Sequence, residues 1–248
     1  MRNEALIGYL LHQRPYQEKR ALYYLFSQQH GVVHGIGKKG APLFEPLQLF
    51  ATGKRDLKTF SQINLMPAED DSTESATATK PSRYQQISGQ QQYAALYLNE
   101  ILWKLLPSED PMPVLWQHYQ NSLLQLKQPL AADALRLCLR QFESRLFEEM
   151  GFSLTLTHDN ILAPIEPDTD YRFLSDVGFV ATFQPDKTTI NALQTVFSGA
   201  DIIKMAQLGI TDATLSNWSR LHRHLIDHLL DYQPLQSRLL WQQQQRYQ

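Results

Sequence analysis

The chain has 248 residues with 43% hydrophobic content, enough to bury a core and to make two modest domains. Its net charge is −2, and its one cysteine, Cys138, excludes an internal disulfide framework and any zinc site built from several cysteines. No run approaches the ~18–20 apolar residues that span a bilayer. The opening MRNEALIGYLLHQR lacks the h-region and cleavage site of a secretory leader, so a cytoplasmic protein without membrane contact is expected.

Near-neutrality hides a division. Residues 1–63 hold nine Lys/Arg (Arg2, Arg14, Lys19, Arg20, Lys38, Lys39, Lys54, Arg55, Lys58) against four acids (Glu4, Glu18, Glu45, Asp56), a net of +5. The other 185 residues hold 14 basic and 21 acidic groups, a net of −7. A basic end of this kind suggests a polyanionic partner, nucleic acid foremost.

The basic end reads as short strands. Residues 5–12 are apolar and run into Arg14-Pro15-Tyr16, where proline removes a donor and favours a turn or edge. ALYYLF at 21–26 could be strand or helix by composition, but GVVHGIG at 31–37 is β-branched, glycine-punctuated and tilts the reading to a curved sheet. Runs at 46–52 and 56–63 are joined by Gly53-Lys54-Arg55, a natural hairpin turn. Five such strands in some sixty residues fit an OB-fold β-barrel at 1–66.

Residues 67–86 (PAEDDSTESATATKPSRYQQ) are acidic, Ser/Thr-rich and nearly free of aliphatics, which predicts a disordered insert or linker. From residue 90 the period becomes helical, so a mainly α-helical domain is expected over 87–248. Its first helix stops before Pro107, the second follows Pro113 and stops near Pro129, and the third runs from 131 or 132 to Met150 with Gly151 as its stop. An irregular or β excursion near 153–183 holds short runs at 154–156, 171–174 and 179–183. Helical segments at 189–197, 200–209 and 213–232 follow, and the chain ends in the glutamine run 242–245.

Three signals yield to ordinary readings. Gly35-Ile36-Gly37-Lys38-Lys39-Gly40 spells GxGxxG, but Ala41-Pro42 follows where a dinucleotide site needs a helix, and no βαβ unit surrounds it. His224 and His228 have the i, i+4 spacing of a metal pair, yet HLIDH lacks the glutamate of HExxH; with His222 they read as flanking an apolar stripe of Trp218, Leu221, Leu225 and Leu229. Cys138 reads as a buried structural thiol. No catalytic constellation stands out, so no enzyme, no cofactor and no metal are expected.

The basic barrel is different because two requirements coincide. Single strands are held by cations on phosphates and by aromatic faces that stack bases. The segment supplies the candidates Arg14, Lys19, Arg20, Lys38, Lys39, Lys54, Arg55, Lys58 and Tyr16, with Tyr9, Tyr23, Tyr24 and Phe60 as further aromatics. Three readings compete with this one: Tyr23, Phe26 and Phe50 as barrel core with charges that merely solubilise, the barrel as an interaction scaffold docking a protein instead of DNA, and a nuclease or other enzyme, which metal-dependent turnover of DNA would revive.

Several stretches together resemble the bacterial RecO family of recombination mediators. LLHQRPYQEKRALYYLFSQQHGVVHGIGKKGA resembles that family's opening, and LQLFATGKRDLKTF its fourth and fifth barrel strands. YLNEILWKLLP, with Tyr97-Leu98-Asn99-Glu100, resembles the start of its helical domain, LRQFESRLFEEMGF the helix ending in a Gly-aromatic pair, and PLQSRLL a C-terminal PLKSR-type motif. Many family members carry a four-cysteine zinc module after that helix; residues 153–182 contain no cysteine, and the acidic insert is longer than usual. The resemblance implies a DNA repair protein of the RecF recombination pathway that binds ssDNA and dsDNA and anneals complementary strands. It also implies contact with the acidic C-terminal tail of single-stranded-DNA-binding protein (SSB) and with RecR, indirect help in loading RecA, and a nucleoid association during repair. An SSB tail needs an arginine beside an apolar groove. The matching LRxFE motif nominates Arg140, Phe142 and Arg136, and the C-terminal motif nominates Arg238.

Overall fold

Alternation of apolar residues builds the N-terminal strands in the computed structural model, which describes residues 1–66, 86–182 and 195–246. The strands are β1 (Glu4–Gln17), β2 (Arg20–Ser27), β3 (Gly31–Lys38), β4 (Pro46–Thr52) and β5 (Leu57–Leu65). They close in the order β1-β2-β3-β5-β4, antiparallel except for a three-pair parallel contact between β3 and β5, which is the OB arrangement. Leu6, Leu10, Tyr23, Leu25, Val33, Leu47, Leu49 and Phe60 fill its interior.

One expectation fails here. β1 does not end at Arg14-Pro15-Tyr16 but runs on to Gln17, with Pro15 opposite Ala21. Register shifts between Leu10 and His12 and between Pro15 and Gln17 kink the ladder there, which lets an edge accommodate a residue without a donor.

The helices are α1 (Gln90–Leu105), α2 (Pro113–Leu126), α3 (Ala132–Glu149), α4 (Gly199–Leu208), α5 (Leu215–Leu229) and α6 (Gln236–Arg246). Proline stands at the start of α2, where its missing N–H costs nothing. β6 (Asp170–Leu174), β7 (Gly178–Thr182) and β8 (Val196–Ser198) form a small antiparallel sheet in the order β7-β6-β8. Residues 154–156 are not a strand. The helix expected at 189–197 is replaced at its end by β8, while 189–194 lie outside the described residues, as do 67–85 of the acidic insert. The glutamine-rich end is helical as α6.

The chain divides into two compact units, Met1–Leu130 with Leu235–Gln248, and Ala131–Pro234. In the first, α1, α2 and α6 therefore group with the barrel. Tyr9 and Phe26 on the outer face of β1 and β2 pack against Trp116 and Tyr119 of α2, with ring centroids 5.2–5.8 Å apart. Buried Asn99 donates from its amide to the carbonyls of Leu10 and Leu11 at 3.2 Å and accepts from the Tyr119 hydroxyl at 2.6 Å. Its neighbour Glu100 turns the other way, and its carboxylate accepts from the backbone N–H of Gln236 and of Ser237 and from the Ser237 hydroxyl, at 2.7–2.9 Å. Glu100 thus satisfies the orphan donors at the start of α6, with Lys104 paired to it at 3.0 Å.

In the second unit, Ile165, Tyr171, Phe173, Phe179, Phe197, Ile202, Met205, Trp218 and Leu221 form one core. Beside it, fully buried Glu143 joins α3 to α5, with one oxygen on Arg140 and the other 2.9 Å from Nδ1 of buried His222. Burial lowers the His222 pKa despite that carboxylate.

Candidate nucleic-acid interface

The β1–β2 turn and the end of β3 bring four of the expected cations together. Arg20 stands opposite Lys38 in the β2–β3 ladder, and the Lys39 N–H donates to the Lys19 carbonyl at 3.2 Å. Lys19, Arg20, Lys38 and Lys39 are all exposed. Only Lys39 has its ammonium engaged, on the Glu18 carbonyl at 2.9 Å, and no carboxylate pairs with any of the four among the described residues. Exposed Tyr16 lies on the same end of β1, at 55% exposure.

Arg14 is three residues before the end of β1, and its guanidinium lies 5.9 Å from the Tyr24 ring and 5.8 Å from the Trp103 ring. Sequence reasoning did not include Trp103, on α1, nor His12 and His34. His12 stacks on Trp103 at 4.9 Å and 16°, and Tyr24 touches His12, His34 and Trp103 at 4.6–5.5 Å. Burial first, then the Arg14 charge, lowers the His12 pKa, and the positive charge beside this half-buried platform comes from Arg14 and from Lys104, whose ammonium lies 5.6 Å from the Trp103 ring. Nothing in the local sequence signals that α1 delivers an indole to the strands.

Lys54 and Arg55 do not join the first group. They sit exposed on the β4–β5 turn, where Gly53 and Met1 exchange backbone hydrogen bonds, at the opposite end of β1 from Gln17. Lys58 departs furthest from the expectation of a surface cation. It is 4% exposed, donates to the Arg55 carbonyl at 2.7 Å and is ion-paired with Glu109. Lys58→Met should therefore lower the melting temperature by several degrees, about 1–2 kcal/mol, while leaving DNA affinity within two-fold of the parent. A large affinity loss at unchanged stability would return Lys58 to the interface.

The aromatics also separate. Tyr9, Tyr23 and Phe60 are buried, Tyr24 is half-buried and Tyr16 is open. Of the three aromatics expected in the barrel core, Tyr23 is there, Phe26 is buried outside the barrel against Trp116 and Tyr119, and Phe50 is half-buried. The Tyr23 hydroxyl donates to the Lys38 carbonyl at 2.6 Å, which anchors the end of β3.

A groove of about 510 Å³ opens beside these lysines. β3 and β5 pair only from His34 to Ile36, and beyond Gly37 they part. Lys38, Lys39 and Gly40–Pro42 form one lip, Ser61–Leu65 the other, and Phe60 and Leu47 the floor. Gly35 and Gly37 are required by close approach: a Cβ would come within 2.5 Å of the Phe60 ring at the first and 2.7 Å of Ile63 at the second. That requirement, and not a phosphate turn, accounts for the GxG of the sequence.

The residues nominated for an SSB tail are placed differently. Arg136 is exposed with Asp133 at 3.1 Å, Arg140 is mostly covered and engaged with Glu143 and the Ser219 carbonyl, and Phe142 is buried. Arg238, whose guanidinium lies 5.5 Å from the Tyr97 ring, belongs to the other compact unit. Arg140→Ala would leave Glu143 buried with only part of its compensation. It should cost about 2 kcal/mol of stability, read as a lower urea midpoint at unchanged slope. An unchanged midpoint would show the pair to be energetically idle. The late histidines diverge: His222 meets Glu143, His228 lies 3.0 Å from Asp176, and His224 packs edgewise on Phe173. Among the described residues no group of three or more His, Cys, Asp or Glu could hold a metal, and no helix is long and apolar enough to cross a membrane.

The comparisons with known proteins agree with this architecture. Residues 88–239 match the family model described as recombination protein O C terminal. The DNA repair protein RecO of Pseudomonas paraeruginosa is 34% identical over 242 residues, covering 94% of this chain and 92% of that protein. The RecO proteins of Stutzerimonas stutzeri and Coxiella burnetii are 33% and 30% identical, again over 94% of this chain and 92% and 95% of theirs. A barrel followed by six helices among the described residues, and matches that span nearly the whole length of the relatives, place the chain in the recombination protein O (RecO) family.

Proposed function

We propose that this protein is a non-catalytic DNA repair mediator of the RecF recombination pathway, acting in the cytoplasm at the nucleoid. It binds ssDNA and dsDNA, anneals complementary strands, and works with SSB and RecR in the exchange of SSB for RecA. The observation that supports this reading best is the set of four exposed cations, Lys19, Arg20, Lys38 and Lys39, gathered at one end of an OB-type barrel. Cations at one place can neutralise two phosphate backbones at once, which is what annealing needs. The contact with the SSB tail is assigned to the helical region, with exposed Arg136 as its first cation.

Fluorescence anisotropy of a labelled single-stranded oligonucleotide across a salt series tests the reading. Binding whose log affinity falls linearly with log salt supports a phosphate-driven surface. Absence of binding at low salt would reject the reading, and binding of a protein partner that hardly responds to salt would favour a docking scaffold in its place.

A further inference from the structure

The β3–β5 groove has a chemistry of its own. On β5, Ser61 stands opposite Phe50 and Asn64 opposite Gln48, so Gln62 and Ile63 share one partner across the ladder, a β-bulge. Gln62 takes a left-handed φ of 49°, a conformation that costs a non-glycine residue free energy and persists where the surroundings impose it. The bulge resets the alternation. Ser61 and Gln62 both face outward in succession, Ile63 returns to pack on the barrel core, and Asn64 faces outward again. One lip of the groove thus carries a hydroxyl and two carboxamides, the floor is apolar, and the opposite lip carries Lys38 and Lys39.

We propose that this groove receives an unstacked nucleobase of a single strand, with Ser61, Gln62 and Asn64 meeting the base edge and Lys38 and Lys39 the flanking phosphates. The assignment rests on the DNA-binding reading above and deepens it. Carboxamides and hydroxyls offer donor and acceptor side by side, as base edges do. Asn64 also donates to the Gln62 carbonyl at 3.2 Å, and the floor presents only the edges of the core residues Phe60 and Leu47, so the groove addresses the edge of a base. The charge of the lysine lip is complementary to phosphate and has no carboxylate partner among the described residues. A paired base is stacked in its duplex and would have to be extruded to enter, so the groove separates single strands from duplex where the lysines alone do not.

The test is anisotropy at fixed low salt with three labelled probes of one length: a single strand, a single strand carrying abasic spacers, and a duplex. Gln62→Ala/Asn64→Ala should bind the base-bearing strand about ten-fold more weakly and leave the abasic strand and the duplex unchanged. Gln62→Gly removes the carboxamide while easing the backbone, so it should melt no lower than the parent and still lose several-fold on the base-bearing strand. Equal binding of base-bearing and abasic strands by the parent, or equal losses on all three probes in the variants, would overturn the groove and leave phosphate binding standing. Failure of the parent to bind any probe would instead overturn the DNA-binding reading itself.

Discussion

Lys38→Ala/Lys39→Ala should weaken binding of single-stranded DNA by roughly ten- to a hundred-fold at low salt and flatten the salt slope by about 1.4, at ~0.7 for each phosphate no longer neutralised. The two lysines lie at the end of β3, exposed, and are tied to the β1–β2 turn by the backbone bond from Lys39 to Lys19. That bond survives truncation of the side chains, so the fold should be unaffected and the melting temperature should stay within a degree or two. The control is Lys54→Ala/Arg55→Ala on the β4–β5 turn, which removes the same charge from the other end of β1. A smaller loss there would locate the strand at the β3–β5 end. Equal losses in both variants would mean that binding answers to net charge alone, and no loss in either would put the surface elsewhere.

The largest stability effect is expected from Glu100→Gln. Burial raises the Glu100 pKa, but the Ser237 backbone and hydroxyl, the Gln236 N–H and Lys104 outweigh it and hold the carboxyl below its ordinary value of 4.5. An amide of the same shape keeps one acceptor, places donors where donors already stand, and loses the charge that assists each bond. The cost should be about 2–3 kcal/mol, or roughly 5–10 °C in melting temperature. Because the folded pKa is lowered, this stabilisation is complete above the unfolded value of 4.5 and is lost as pH falls through the lower folded value. The gap between the parent and Glu100→Gln should therefore be constant near neutrality and should narrow on acidification below about pH 4.5. A gap that does not change with pH would show that the charge is not what α6 uses.

Much of the fold was legible because it follows from local periods. The strand runs at 31–37 and 46–52 and the first three helices are bounded by glycine and proline, whose backbone limits act wherever they occur, and these elements appear with nearly the expected ends. Pro15 misled for the same reason: its missing donor is a local fact, but whether the ladder can bend around it depends on β2. The end of the chain carried no period to read. α6 forms because Glu100, 136 residues earlier, caps its start and because Tyr93 packs on Trp241 at 5.6 Å.

For the candidate site, charge alone nominated the cations, since charge is additive along the chain and needs no fold. Its grouping did need one. Lys38 lies near Arg20 through strand pairing, Lys58 is withdrawn by Glu109, and Arg140 is taken by Glu143. The meeting of Glu100 with Ser237, of Trp103 with His12, and of the two lips of the β3–β5 groove all join distant segments. The sequence by itself therefore determined most of the barrel strands, the first three helices, the charge division and the family. Only the tertiary structure decided which cations remain exposed and which polar side chains share a groove, because those depend on what each residue faces across space.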